Sequence, residues 1–181
     1  MIRKYWRIFW GLFRLFREKA WNNKRLKLNG IMYYFGKNSR INTSGIGVCN
    51  LGRKTWVDDN CYFSASDASI EIGFNNYFSN NCRVVAMAGI SIGDNNLLGP
   101  NVVIVDHNHR FSDKKQLICK QGYTKSPITI GSDVWLGANV IVSEGVSICD
   151  HVVVGANAVI TKSITESGVY GGIPAKLIRR L

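Results

Sequence analysis

An aliphatic residue recurs at every sixth position through the C-terminal part of the chain. The series runs without a gap through Ile130, Leu136, Val142, Ile148, Val154 and Ile160. Four places after each of the first five stands a smaller apolar residue, in turn Val134, Val140, Val146, Val152 and Ala158. Neither a helix, with 3.6 residues per turn, nor a strand, with a period of two, produces a strict period of six by itself. The pattern predicts short extended segments joined by regular corners, with the aliphatic residue facing inward.

The same period extends upstream with interruptions, through Leu51, Val57 and Phe63, then Ile72, Phe78 and Val84, then Ile92, Leu98 and Ile104. Similar tetrapeptides restart it, namely I-E-I-G at 70–73, I-S-I-G at 90–93 and I-T-I-G at 128–131. Neighbouring Gly, Asn and Asp supply the backbone conformations that corners require. A sandwich of short strands, the alternative, predicts turn signals every 8–12 residues rather than every six. Internal repetition therefore decides the fold class, which is an all-β solenoid.

These units resemble those of the hexapeptide-repeat acyltransferases over about residues 40–181. The resemblance implies a left-handed parallel β-helix of triangular section with three hexads per coil. We expect residues 29–181 to form this domain, with a protruding loop at 107–127 and a C-terminal tail at 168–181. A solenoid needs caps at both ends, and the N-terminal segment and the tail are the candidates.

Residues 1–28 form a basic segment with helical periodicity. Apolar residues recur three and four positions apart, at Ile2, Tyr5, Trp6, Phe9, Leu12, Phe13 and Phe16, and Arg3, Arg7 and Arg14 fall opposite them. The segment holds nine basic residues and one acid, so it carries +8 of the chain's +11. We expect an amphipathic helix that either lies on an anionic membrane surface or packs on its own domain or a neighbouring subunit.

Charge and cysteine content indicate which partners and which cellular compartment to expect. Because the excess positive charge is confined to the N-terminus, we expect no nucleic-acid partner, and aromatic residues at helical spacing make a poor stacking platform for RNA. The five cysteines show no C-x-x-C spacing, which favours free thiols in a reducing, cytoplasmic location. We expect neither a membrane-spanning helix nor a signal peptide, and peripheral attachment to the inner face of the cell membrane remains open.

The six-residue period is lost between Ile104 and Ile128, and His107 and His109 stand where this interruption begins. A long loop inside a compact domain is usually functional or disordered. Histidine is the usual general base near neutral pH, so these two residues are candidate catalytic groups. A metal site would need His151 as its third histidine, and the spacing does not resemble that of zinc-binding hexapeptide proteins. We expect no metal.

Within the family, the sequence most resembles the galactoside, maltose and xenobiotic O-acetyltransferases and the related capsule or exopolysaccharide enzymes. Counting from Pro100 in the segment from Gly99 to Arg110 places their catalytic histidine on His109. His107 is the rival because it directly follows Asp106. The resemblance implies that the imidazole takes a proton from an acceptor hydroxyl, which then attacks the thioester of acetyl-CoA while a backbone N–H holds the oxyanion. No cysteine is placed as an acyl carrier, so direct transfer is expected.

The resemblance also implies coenzyme contacts, an acceptor contact and a homotrimer that builds its coenzyme groove between subunits. The matched coenzyme positions are Trp135, Ala138, Ala156, Thr161, Lys162, Lys176 and Arg179. Asn81 matches a sugar-contacting asparagine, whereas Met87 stands where the galactoside enzymes carry an acid. The expected function is O-acetylation of a sugar or surface-polysaccharide precursor. N-acetylation of an amino sugar and a non-catalytic hexapeptide scaffold are the alternatives.

Overall fold

Three parallel β-sheets form the faces of a solenoid of about six coils, preceded by one helix. The computed structural model describes residues 2–181, with side chains described for residue 6 and from residue 8 onward. The helix α1 spans Ile2–Asn22 and is followed by a 3-10 turn at Asn23–Arg25. No helix within residues 2–181 is long and apolar enough to cross a membrane.

Each coil contributes one strand to each face, in the order first, second and third face. The first three coils contain β1 Leu26–Asn29, β2 Tyr34–Phe35, β3 Arg40–Ser44, β4 Val48–Gly52, β5 Trp56–Val57, β6 Tyr62–Ser66, β7 Ser69–Ile72, β8 Tyr77–Phe78 and β9 Arg83–Ala86. The fourth coil contains β10 Ile90–Ile92, β11 Leu97–Leu98 and β12 Val103–Val105, and a hairpin of β13 His107–His109 and β14 Tyr123–Lys125 follows it. The last two coils contain β15 Ile128–Ile130, β16 Trp135–Leu136, β17 Ile141–Val142, β18 Ser147–Ile148, β19 Val152–Val154 and β20 Val159–Ile160.

The residues that keep the six-residue period form the core, as the sequence predicts. Every aliphatic or aromatic residue of the series from Leu51 to Ile160 is buried, and so is every smaller apolar residue from Val134 to Ala158. The I-x-I-G restarts lie in register, because Ile90 pairs with both Ile70 and Ile128 on adjacent strands. One continuous hydrophobic core therefore runs the length of the solenoid.

Two of the three corners are built by residues with left-handed backbone conformation, mostly asparagine. At the corner between the second and third faces these are Asn38, Asn60, Asn81, Asn101, Asn139 and Asn157, all with φ between 56° and 65°. Asparagine tolerates this region better than other side chains with a Cβ. Their amides also bond from coil to coil, for example from Asn101 to Asn139 at 2.8 Å and from Asn139 to Asn157 at 2.9 Å.

The third corner, between the third and first faces, carries the insertion. Paired residues of the fifth and sixth coils, Ile130 and Ile148, are 18 positions apart, whereas the paired Ile90 and Ile128 are 38 apart. The 20 extra residues leave the solenoid after β12 and return before β15. They include the β13–β14 hairpin and a second 3-10 turn at Ile118–Lys120.

Helix α1 covers the open end of the first coil. It buries Gly11, Leu15, Glu18 and Asn22, which recur three and four positions apart and so share one side of the helix. Glu18 accepts the backbone N–H of Ile41 at 2.9 Å, and Asn22 accepts that of Thr43 at 3.1 Å. Strand β3 is the edge of the third sheet, so these two side chains satisfy backbone groups that no preceding coil can pair.

The side of α1 turned away from the solenoid is aromatic. Trp6, Phe9, Phe13 and Phe16, which the sequence groups on one face, are exposed, while Leu12 is half-buried. The sequence also predicts directions for four side chains that lie outside the described part of the structure, namely those of Ile2, Arg3, Tyr5 and Arg7. The helix therefore packs on its own domain through Leu15 and through small and polar residues, and it leaves the aromatic residues uncovered within this chain.

The opposite end of the solenoid is covered by the C-terminal tail. Strand β21, Gly168–Gly171, continues the second face in parallel beside β19. Strand β22, Lys176–Arg180, then turns back and pairs antiparallel with β21. This reversal ends the stacking of parallel coils.

Candidate active site

The hairpin at the interrupted corner is anchored by Asp106. This residue is completely buried, and its carboxylate accepts the backbone N–H groups of Met87 at 2.8 Å and of Ala88 and Gly89 at 2.7 Å. Its backbone carbonyl accepts the N–H of Ser126 on the returning strand at 2.9 Å. Asp106 thus joins the preceding coil to both strands at the base of the insertion. The sequence gives no sign of this role beyond the position of Asp106 beside His107.

The two histidines lie on the same side of the hairpin. Residues two apart in a strand share a face, and the phenol ring of Tyr123 on β14 lies beside both imidazoles. Its centroid is 5.7 Å from that of His107 and 4.5 Å from that of His109. Tyr123 is a member of the site that the sequence does not reveal, because it stands 14 residues after His109 in a segment without a repeat.

The environments of the two imidazoles differ. The His107 side chain is 16% exposed, and its Nδ1 lies 3.1 Å from the Asp106 carboxylate. A carboxylate has no proton to donate, so Nδ1 carries a proton, and in the neutral form of the ring Nε2 is the acceptor. His109 is exposed at the outer end of β13. Its ring is held by contact with Tyr123 and is open to a molecule that approaches the hairpin from outside.

The other side of the hairpin carries a separate polar cluster. Asn108 points there, and its amide donates to Glu144 at 3.3 Å. The Thr124 hydroxyl donates to the same carboxylate at 3.0 Å. Glu144 belongs to the fifth coil, so this cluster ties the hairpin to the next coil and helps to fix the orientation of β13.

The third histidine is far from this pair in the fold. His151 has a left-handed backbone, with φ of 57°, at the corner between the first and second faces, and its Nδ1 lies 2.6 Å from Asp133. Within residues 2–181, no three or more histidine, cysteine or acidic side chains converge in a way that could hold a metal ion. Reaction without a metal remains an expectation.

Comparison with known proteins connects this site to a family. Residues 127–162 match the model described as the hexapeptide repeat of succinyl-transferase. Over 165 residues the chain is 34% identical to a galactoside O-acetyltransferase of Escherichia coli strain K12, a match that covers 87% of this chain and 79% of that protein. The chain belongs to the hexapeptide-repeat acyltransferases. It is therefore an acyltransferase, and the family resemblance predicted from the repeat is confirmed.

Two further members of the hexapeptide-repeat acyltransferases are informative about ligands. WbbJ of the same strain, whose name assigns it provisionally to O-acetyl transfer in lipopolysaccharide biosynthesis, is 35% identical over 117 residues, which cover 58% of this chain and 60% of WbbJ. A crystal structure of a galactoside acetyltransferase in complex with coenzyme A is 25% identical, with a TM-score of 0.52, and the match covers 86% of this chain and 64% of that one.

Five of the seven positions predicted to contact coenzyme lie along the second face and its corner with the third. Trp135 is 53% exposed on β16, and Ala138 and Ala156 occupy equivalent places in the fifth and sixth coils, 18 positions apart. Trp135 pairs with Val153, Val153 with Val169, and Val169 with Arg179. Arg179 is thus three strands from Trp135 in one column, about 14 Å at the usual strand spacing. Lys176 is exposed on the same terminal strand.

Thr161 and Lys162 are exposed on another side of the molecule. They follow β20 and precede Ile164, which bridges to Ile148 on the first face. That position is the corner between the third and first faces, where the histidine hairpin also leaves the solenoid two coils earlier.

Asn81, the position predicted to contact the acceptor, lies at the corner between the second and third faces. It has a left-handed backbone with φ of 65°, and its side-chain amide donates to Asn101 at 3.0 Å. The asparagine ladder places it in the same column as Asn139, next to Ala138. Asn81 is therefore grouped with the coenzyme positions rather than with the histidines.

Two sets of predicted site residues are thus separated within one chain. The histidines lie at one end of the third face, and Asn81, Ala138 and Ala156 lie at the other. Asn101 and Asp106 mark the two ends of this face in the fourth coil, and five residues of extended chain span roughly 16 Å. The imidazoles of a single chain therefore face a different corner of the prism from Trp135, Ala138 and Ala156, and only Thr161 and Lys162 among the coenzyme positions share the corner of the hairpin.

Proposed function

We propose that this acyltransferase moves the acetyl group of acetyl-CoA to a hydroxyl of a sugar or surface-polysaccharide precursor. The relatives support the donor and the acceptor class, since a galactoside O-acetyltransferase and WbbJ are both similar to this chain. The observation that carries the proposal is the position of two imidazoles at the single large insertion into the coils, on one face of a hairpin anchored by a buried carboxylate.

In the proposed reaction His109 is the general base. Its imidazole accepts the proton of the acceptor hydroxyl as that oxygen attacks the thioester carbonyl. When the tetrahedral intermediate collapses, the C–S bond breaks and the imidazolium returns the proton to sulfur, so coenzyme A leaves as the thiol. Exposure supports this choice, because an acceptor sugar can reach His109 without displacing other side chains. His107, fixed between Asp106 and Tyr123, then supports the hairpin, and it is the alternative base.

We further propose that the site is completed by a second copy of the chain in a homotrimer. The separation of the two residue sets supports this arrangement. A neighbour that presents its corner between the second and third faces would bring Trp135, Ala138 and Asn81 to the hairpin of the first copy. Each adjacent pair of subunits would then form one active site, as expected for closed rotational symmetry.

The proposed activity is tested by measuring coenzyme A release from acetyl-CoA with a panel of glycans and nucleotide sugars. We expect turnover with at least one acceptor, and an acetylated product that loses its acetyl group in mild base, as an ester does. A base-stable product would identify an amide and overturn O-acetylation. Turnover that is absent with every acceptor, despite binding of acetyl-CoA, would favour the non-catalytic scaffold.

The catalytic base is tested in the same assay with two matched variants. We expect His109→Gln to lower kcat by roughly 10²–10⁴-fold, the usual contribution of general base catalysis, while the affinity for acetyl-CoA stays unchanged. His107→Gln should lower kcat by less than about tenfold, because it acts through the hairpin rather than on the substrate. The reverse order of the two effects would transfer the role of base to His107.

A further inference from the structure

Six aromatic side chains cover the outward side of α1 and its C-terminal end. They are Trp6, Phe9, Trp10, Phe13, Phe16 and Trp21, and each is between 45% and 84% exposed. We call this surface the aromatic face. Edge-to-face contacts link its first members in sequence, with ring centroids 5.7–6.2 Å apart from Trp6 through Phe9 and Trp10 to Phe13.

The aromatic face contributes little to the fold of its own chain. At 100° per residue, Phe9 and Phe13 lie almost opposite the buried set of Gly11, Leu15 and Glu18. The hydrogen bonds between α1 and the first coil come from residues outside the aromatic face, namely Arg14, Glu18, Lys19 and Asn22. Because monomeric proteins rarely expose a continuous apolar surface of this kind, the aromatic face indicates an interaction site.

The charges around the aromatic face identify its partner. Arg17 lies beside the face, and Lys24, Arg25 and Lys27 follow it as exposed residues. The only acid among residues 1–28 is Glu18, which is buried beneath the helix and paired with Arg17 and Arg40. No exposed acid is therefore present in this segment to repel an anionic surface. Tryptophan rings and basic side chains on one amphipathic helix are typical of the headgroup region of a bilayer.

We propose that the aromatic face docks on an anionic lipid bilayer, with α1 parallel to the membrane plane and the solenoid extending away from it. The helix is about 30 Å long, so it can present the whole face to one flat surface. The hairpin leaves the fourth coil, three coils from the helix, which places the histidines roughly 15 Å further from the lipid. In the compartment expected from the free cysteines, this surface is the inner face of the cell membrane. The inference stands independently of the acetyl acceptor.

The test is flotation of the full-length protein with two kinds of vesicle, phosphatidylcholine alone and a phosphatidylcholine–phosphatidylglycerol mixture. We expect wild-type protein to float with the anionic vesicles and much less with the neutral ones. The combined change Phe9→Gln and Phe13→Gln should weaken partitioning by roughly tenfold or more for each ring, given the free energy of burying such a side chain. Phe111→Gln is the matched control, because Phe111 is 73% exposed on the insertion, far from α1, and its loss should leave flotation unchanged.

A second variant pair tests the charge contribution without altering α1. Lys24→Gln with Lys27→Gln should reduce binding to anionic vesicles by roughly 30-fold, at about 1 kcal/mol for each cation near the surface. The pair should not change binding to neutral vesicles. Circular dichroism should show the same thermal transition for all variants, because the replaced side chains are exposed.

Two results would overturn the proposal. In the first, wild-type protein stays unbound with both vesicle types. In the second, the Phe9 and Phe13 variant floats as wild type does. If wild-type protein stays unbound and the variant also has a lower mass by light scattering, the aromatic face is a contact between copies of this chain.

Discussion

Replacing Asp106 by asparagine tests how the catalytic hairpin is held. The two carboxylate oxygens accept three backbone N–H groups from residues 87–89, and Oδ1 also meets Nδ1 of His107. An asparagine of nearly the same shape has one acceptor oxygen and one NH₂ group. If the oxygen takes the Oδ2 position, it keeps the bonds from Ala88 and Gly89, and the NH₂ group faces the N–H of Met87.

The loss in the free energy of unfolding expected for Asp106→Asn follows from these contacts. Two charge-assisted hydrogen bonds become neutral ones, which costs about 1 kcal/mol each, and the N–H of Met87 loses its partner at a cost of about 1–3 kcal/mol. Because asparagine also removes a buried charge, part of this loss is recovered. We therefore expect Asp106→Asn to reduce the free energy of unfolding by about 2–4 kcal/mol.

The assay is urea unfolding followed by circular dichroism, with Asp150→Asn as the matched control. Asp150 also accepts one backbone N–H, from Ser132 at 2.7 Å, but it is exposed. The control should therefore cost less than about 1 kcal/mol. In the acetyl-transfer assay, Asp106→Asn should also lower kcat, since the NH₂ group can donate to Nδ1 of His107 and reverse the tautomer of that ring. If Asp106→Asn is no more destabilising than Asp150→Asn, the buried carboxylate does not anchor the hairpin.

Other predictions concern the cap, the thiols and the close contacts between coils. Glu18→Gln should lower the free energy of unfolding by about 2 kcal/mol in thermal melts. The reason is that the buried carboxylate pairs with two half-exposed arginines and accepts the N–H of Ile41 on the edge strand β3. An unchanged melting temperature would contradict this. Burial raises the pKa of Cys49 to about 12. This thiol should therefore stay protonated and inert to thiol reagents up to about pH 10, while the exposed thiol of Cys119 reacts. Fast labelling of both thiols in folded protein would refute this. Gly36→Ala should lower the free energy of unfolding by more than about 3 kcal/mol, because its Cβ would lie 2.3 Å from the backbone of the next coil. The control Gly122→Ala has open space around its Cβ and should lower the free energy of unfolding by about 1 kcal/mol, from its positive φ alone.

The repeat predicted most of the fold because each coil is determined by residues that are close together in the sequence. A coil returns to the same face every 18 residues in the last two turns, so the inward position of Ile130 fixes that of Ile148. Corner conformations were equally predictable, since Asn139 and Asn157 stand at places where only left-handed backbone continues the coil. The position of the insertion followed from the interruption in the same pattern.

Contacts between segments that do not repeat could not be predicted in this way. The apolar periodicity of α1 identified an amphipathic helix, but the side that packs on the solenoid is set by Gly11, Leu15, Glu18 and Asn22, because the exposed edge of β3 needs polar partners. Their hydrogen bonds depend on three-dimensional placement. The same holds for Tyr123, which reaches the histidines only because the inserted residues fold into a hairpin. The roles assigned to His109 and the coenzyme positions stay predictions.

In the proposed reaction, an imidazole on one copy of the chain acts on a thioester held by another copy. We expect His109→Gln and Trp135→Ala each to be inactive alone, and the test is to co-express them in equal amounts and to measure acetyl transfer by the mixed oligomers. If sites form between copies in a randomly mixed trimer, about a quarter of them combine an intact His109 with an intact Trp135 from the neighbour. We expect recovery of about that share of wild-type acetyl transfer. Mixed oligomers that remain as inactive as either variant alone would contradict it.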